Sequence, residues 1–165
     1  MPTAVDRGHV TAQLGRTPRG AWQVAHRCPC GRPDVLANPA ALPDGTPFPT
    51  HFYLTCPRAA AAVGRVEASG IMRDWQAELD RDPLLAQRYR AAHVAFLAAR
   101  AAFTGPAGVP AEIAEVSAGG MPRRVKCLHA CLAQALAMGA GVNPFGDRVQ
   151  EMIGAYWESP CQRPA

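Results

Sequence analysis

Cys28, Cys30, Cys56, Cys127, Cys131 and Cys161 are the side chains of this sequence best suited to chemistry, and their spacing limits which chemistry that is. A zinc ion or an iron–sulfur cluster needs about four soft ligands at one point, and a set of four thiolates satisfies either. Cys28 and Cys30 flank Pro29 on a turn closed by Gly31, so both sulfurs can face one point. Cys56 follows the apolar run of residues 51–55 and precedes Pro57, which places it at a strand end. A single buried cysteine ordinarily packs as a small apolar side chain, but three thiols at turns or strand ends beside proline are unusual packing residues. With Cys127 as the preferred fourth ligand, the expected site is Cys28, Cys30, Cys56 and Cys127 around iron–sulfur or zinc. The Cys-Pro steps at 28–29 and 56–57 echo some ferredoxin motifs and lean the choice toward iron–sulfur. Cys131 lies on an alanine-rich helix face that suits a core role, and Cys161 is either a last ligand or none.

Three histidines lie near these thiols. His26 precedes Cys28 and His51 opens the run that ends in Cys56, so each is assigned a supporting place around the metal. His129 follows Cys127 by two positions, roughly 160° around a straight helix, which puts it in the supporting group rather than in the ligand set. No Ser-His-Asp order can be defended, and Asp34, Asp44 and Asp147 read as turn or cap residues.

A second group is basic. Gly119 and Gly120 sit in a small-residue loop before an expected helix at Pro122, and Arg123, Arg124 and Lys126 follow. Free N–H groups at a helix start favour phosphate or carboxylate, and cations there oppose the helix dipole unless an anion joins them. Gly119, Gly120, Arg123, Arg124 and Lys126 are therefore the expected anion-binding residues, although the spacing is not that of a P-loop. Without a metal, the alternative is a cysteine-dependent enzyme in which Cys28 or Cys127 attacks an anionic small molecule held by these cations. A non-catalytic module that binds a protein partner is the third reading.

The elements that must position these groups are legible in outline. Residues 5–14 read as a short helix ended by Gly15, and Trp22 and Val24 alternate with polar or small neighbours as a strand leading to Cys28. Residues 34–37 and 51–55 read as two more strands separated by a proline-rich loop. After Pro57 the pattern turns helical: 58–69 with an alanine and valine stripe, a long helix capped by Asp82 with Pro83 at its first position, a helix at 122–136, and a last one at 147–157. The expected fold is α+β, one domain over 1–165, with a small antiparallel sheet in a strand and loop half (1–57) and about four helices in a helical half (58–165).

Composition sets the class. A chain of 165 residues, 48% hydrophobic and 18% charged, can bury a core without disulfides and has no apolar run long enough for a membrane span. The first fourteen residues carry Asp6, Arg7 and His9 where a secretory leader needs an apolar stretch, which predicts an unexported, cytoplasmic protein whose cysteines are thiols or metal ligands. A net charge of +4 without a recognised motif disfavours nucleic acid as a partner. Lys126 is the only lysine among seventeen basic residues, a bias that a GC-rich coding preference explains.

Taken together, Gln13-Leu14-Gly15-Arg16, His26-Arg27-Cys28-Pro29-Cys30-Gly31, the 42–50 loop, Tyr53-Leu54-Thr55-Cys56-Pro57, residues 117–129 and Gly141-Val142-Asn143-Pro144 resemble the mainly actinobacterial family catalogued as domain of unknown function 501. The resemblance spans most of the chain and includes Cys28, Cys30, Cys56, Cys127 and His129, with Cys131 outside its pattern. It implies a cytosolic bacterial protein often encoded near a septum-formation initiator and an exopolyphosphatase. It supplies no catalytic residues, and neither a division role nor polyphosphate chemistry is drawn from it.

Overall fold

The chain enters through a helix that its own side chains start. Thr3 accepts a hydrogen bond from the Asp6 N–H (3.1 Å) while the Asp6 carboxylate accepts from the Thr3 N–H (3.0 Å), a capping box that opens α1 (Ala4–Leu14). In the computed structural model, which describes residues 1–158, three strands follow: β1 (Gln23–Arg27), β2 (Pro33–Ala37) and β3 (Phe52–Leu54). They form one antiparallel sheet in the order β1-β2-β3, with Leu36 opposite Val24 on one side and opposite Tyr53 on the other. Every residue of β2 is buried, as befits a central strand covered on both faces.

Five α-helices follow: α2 (Pro57–Ala68), α3 (Ile71–Arg81), α4 (Pro83–Thr104), α5 (Leu128–Met138) and α6 (Pro144–Ile153). The fold is α+β as expected, with one more helix than anticipated because α3 begins directly after Gly70. The Asp82 cap is present, its carboxylate accepting from Leu84 and Leu85 N–H. Val35, Ala37 and Phe52 of the sheet join Val63, Trp75, Tyr89, Phe96, Leu128, Leu132 and Phe145 of the helices in one core. α5 runs through its middle, with every residue from Cys131 to Leu136 buried. Gly146 of α6 lies so close to α5 that a Cβ there would collide with the Cys131 carbonyl.

The helix expected at Pro122 begins six residues later. Gly119, at φ 68°, turns its carbonyl to accept from Lys126 N–H (2.8 Å) and Cys127 N–H (3.3 Å), so those amides are spent closing a loop and cannot bond one turn back along a helix. Tyr89 Oη donates to the Arg124 carbonyl (3.0 Å) and ties the same loop to α4. No helix among the described residues is long and apolar enough to cross a membrane.

Candidate functional site

α2 supplies one wall of the site. Cys56 and Pro57 open it in extended-then-helical backbone, and Ala59, Ala62 and Val63 bury its apolar face. Ala60 and Glu67 are seven residues apart, hence stacked on a neighbouring face, and both reach His129 at the start of α5. The His129 ring lies with Nδ1 3.2 Å from Glu67 Oε1 and Nε2 3.1 Å from the Ala60 carbonyl oxygen. Glu67 Oε1 also accepts from Leu128 N–H (2.8 Å), a carboxylate at a helix start where the dipole favours it.

Cys127 completes the group because it precedes α5 rather than belonging to it. Its backbone is extended (φ −144°, ψ 107°), so the helical angle between positions 127 and 129 does not apply, and its sulfur meets the His129 ring. Ligand atoms of Glu67, Cys127 and His129 all lie within 4.8 Å of one another, and all three side chains are half-buried. A carbonyl and a carboxylate can only accept, so without a metal both nitrogens of His129 carry protons. The hydrogen bond to Cys127 raises the imidazole pKa to about 9, with the Glu67 carboxylate acting in the same direction. The same bond holds the Cys127 thiol below its ordinary value, and the Ala130 N–H at the helix start lowers it further.

The group opens onto a cleft of about 480 Å³. One side is β3 with the residue leading into it, Thr50, Phe52, Tyr53 and Leu54; the other is the 117–119 loop and the first turn of α5. No aspartate, glutamate, lysine or arginine lines it.

The four expected cysteine ligands do not all meet here. Cys28 and Cys30 are bonded to each other as a disulfide across the Pro29 turn. Cys56, fully buried, packs in the same apolar cluster as Cys28, with Ala59 and Tyr156. Of the four, Cys127 alone belongs to the Glu67 and His129 group. Cys131 is buried, with its thiol pushed up to about 12 by burial, and Cys161 lies outside the described residues. The expected supporting histidines divide. His129 is at the centre of the group, whereas His26 pairs with the buried Asp34 (2.7 Å), whose other oxygen accepts from Tyr156 Oη (2.7 Å). His51 is a core residue: it donates to the Asn38 carbonyl (2.7 Å), packs against Phe52, Phe96 and Phe103, and is held neutral by burial, which lowers its pKa.

The expected anion residues share one loop, where a Cβ on Gly120 would stand 2.9 Å from that of Lys126 and 3.0 Å from that of Arg124. Gly119 and Gly120 lie in the closed loop before α5 rather than at a helix start, and Arg123, Arg124 and Lys126 are exposed on its outer surface. Arg124 and Lys126 line a groove with Arg73, Gln76 and Asp80 of α3, on a surface separate from the residues lining the cleft. Sequence reasoning missed Glu67 and the Ala60 carbonyl. A glutamate near the end of an alanine-rich helix carries no mark of its role, and a backbone carbonyl carries none at all.

A family model described as "Protein of unknown function (DUF501)" matches residues 24–151, which hold every member of this group. No curated protein and no solved structure matches the chain.

Proposed function

The chain belongs to the DUF501 family of proteins of unknown function, and we propose that it is a metal-binding protein whose centre is a divalent ion, zinc by its donors, held by Glu67, Cys127 and His129. The observation that carries this reading is the convergence of one sulfur, one nitrogen and one carboxylate oxygen within 4.8 Å of one another, with the other nitrogen of His129 already spent on the Ala60 carbonyl. A ligating histidine ordinarily donates its second N–H to a carbonyl or carboxylate, which fixes tautomer and ring orientation. The charges also suit zinc: a thiolate and a carboxylate neutralise a dication in a half-buried place, where an uncompensated charge is costly. The proton now shared at His129 Nδ1 stands where the ion would bind, so uptake of the metal releases it.

Three protein ligands leave one position toward the cleft, the pattern of zinc sites that do chemistry rather than those that only brace a fold. An iron–sulfur cluster has less support, because it asks for about four thiolates and Cys127 is the thiol of this group. Metal analysis after gel filtration tests the reading. About one zinc per chain is expected in the wild type, with loss in Cys127→Ser and His129→Ala variants whose circular dichroism is unchanged. A folded wild type that takes up no zinc when offered it overturns the proposal.

A second reading rests on the depressed Cys127 thiol beside a protonated His129, oriented in turn by Glu67. Nucleophile, base and orienting carboxylate in that order are what a thiol enzyme needs. Alkylation separates the two readings. Under the metal reading, iodoacetamide modifies Cys127 slowly until a chelator is added; under the enzyme reading it is fast throughout and chelation changes nothing.

A further inference from the structure

β3 is the last strand of the sheet and one of its edges faces the cleft. The register pairs Leu36 with Tyr53, and Asn38 N–H donates to the His51 carbonyl while Thr55 N–H donates to that of Asp34 (2.8 Å each). In an antiparallel pair, main-chain groups point alternately toward and away from the neighbour. His51, Tyr53 and Thr55 therefore turn theirs to β2, and Phe52 and Leu54 turn theirs outward, with no partner among the described residues. The cleft lining agrees. Phe52, Tyr53 and Leu54 are consecutive, and since successive side chains of a strand point to opposite faces, three in a row can bound one cavity only along the strand's edge. Across that edge stand Cys127 and His129.

We propose that this cleft takes an extended peptide segment, which adds to β3 as a fourth strand and passes beside the Glu67, Cys127 and His129 group. Donors and acceptors alternating at Phe52 and Leu54 are the electrostatic complement of another main chain, and few other ligands repeat that pattern at strand spacing. No aspartate, glutamate, lysine or arginine lies in the lining, and the Cys127 and His129 pair is already matched with Glu67, which selects an uncharged stretch with small or apolar side chains. An open edge at a surface is ordinarily blunted by charge, proline or a bulge, and none of these occurs within Phe52–Leu54. The peptide as substrate of the centre rests on the metal reading above; the peptide as ligand of the edge does not.

The probe is a blocked, uncharged hexapeptide of alternating valine and serine, added at millimolar concentration to isotope-labelled full-length protein, both zinc-loaded and chelated. Amide shifts at Phe52 and Leu54 are expected in both forms, with hydrogen exchange there slowed about tenfold while Tyr53, already paired, is unchanged. The same peptide with every amide N-methylated keeps its side chains but cannot donate, and its affinity falls by about tenfold or more. Absence of binding, or equal binding of the methylated peptide, overturns the proposal. Because the chelated protein is tested in parallel, a chain that binds peptide but no zinc sinks only the metal reading, and one that binds zinc but no peptide sinks only this one.

Discussion

Both oxygens of Asp6 are taken by the Arg27 guanidinium, at 2.7 and 3.0 Å, so one residue near the start of α1 anchors that helix to the end of β1. The Arg27 hydrogen bond holds the buried Asp6 carboxyl well below the usual carboxylate range, against the opposing effect of burial. A depressed folded-state pKa stabilises above the unfolded value of about 4 and stops doing so as pH falls toward the folded one. Asp6→Asn should therefore cost about 1–2 kcal/mol at pH 7, a modest figure because Arg27 is 46% exposed and solvent weakens the pair. The cost should be the same at pH 5 and shrink below pH 4, which urea midpoints of wild type and variant across that range would check. Equal penalties at pH 7 and pH 2.5 would show that the carboxylate charge is not what matters. Neither partner stands out in the sequence, since a pair 21 positions apart leaves no periodic trace. The site was partly legible by the same standard. Cys127 and His129 stood out by type, but treating both as helical set them on different faces; the extended backbone of Cys127 removes that objection, and only the fold could supply Glu67.

Elements were easier to read than contacts, because caps and periodicity are local. Asp82-Pro83, Gly15 and the apolar stripe of α2 all mark real boundaries. The start of α5 was missed because it depends on a carbonyl, that of Gly119, which captures two amides seven and eight residues ahead. At α6 a cap does more than start a helix. Asn143 accepts from Phe145 N–H (3.1 Å) and Gly146 N–H (2.9 Å), and its amide donates to Gln134 Oε1 (2.9 Å), while Gln134 Nε2 donates to the Ala92 carbonyl (2.7 Å). Three helices are thus joined by two fully buried amides. Asn143→Ala removes the cap, worth about 1 kcal/mol, and strands the Gln134 carbonyl oxygen, worth about 1–3 more. The sum should appear as a drop of about 2–4 kcal/mol in chemical denaturation with an unchanged slope. A loss under 1 kcal/mol would mean that water or Gln134 itself makes good the missing bond.

At the scale of the whole molecule, the cleft has two walls that belong to different parts of the chain, and a single buried arginine braces both. Arg100 of α4, 1% exposed, donates from Nη1 to the carbonyls of Pro49 (3.1 Å) and Val116 (2.7 Å) and from Nη2 to that of Ile113 (2.6 Å). Pro49 immediately precedes Thr50 on the β3 wall, and Val116 precedes Ser117 on the wall across from it. Among the described residues no carboxylate pairs with this cation; burial lowers its pKa, and three carbonyl dipoles serve as its counter-charge. The guanidinium's rigid plane fixes both donor nitrogens at once, Nη1 between Pro49 and Val116 and Nη2 on Ile113, which an ammonium on a flexible stem does not. Arg100→Met fills similar space yet leaves the three carbonyls without a donor, so a loss of about 2–4 kcal/mol is expected. Arg100→Lys should recover only part of it, since a single ammonium can stand in for Nη1 at Pro49 and Val116 or for Nη2 at Ile113 but not for both. Thermal unfolding of the three proteins, followed by tryptophan fluorescence, gives the first comparison, and hydrogen exchange gives the second. In Arg100→Lys the amides of residues 50–54 and 113–119 should exchange faster while those of α5 and α6, whose carbonyls Arg100 does not bond, keep their protection. If lysine restores the wild-type stability, charge rather than the fork holds the walls, and the bracing role assigned to Arg100 is wrong.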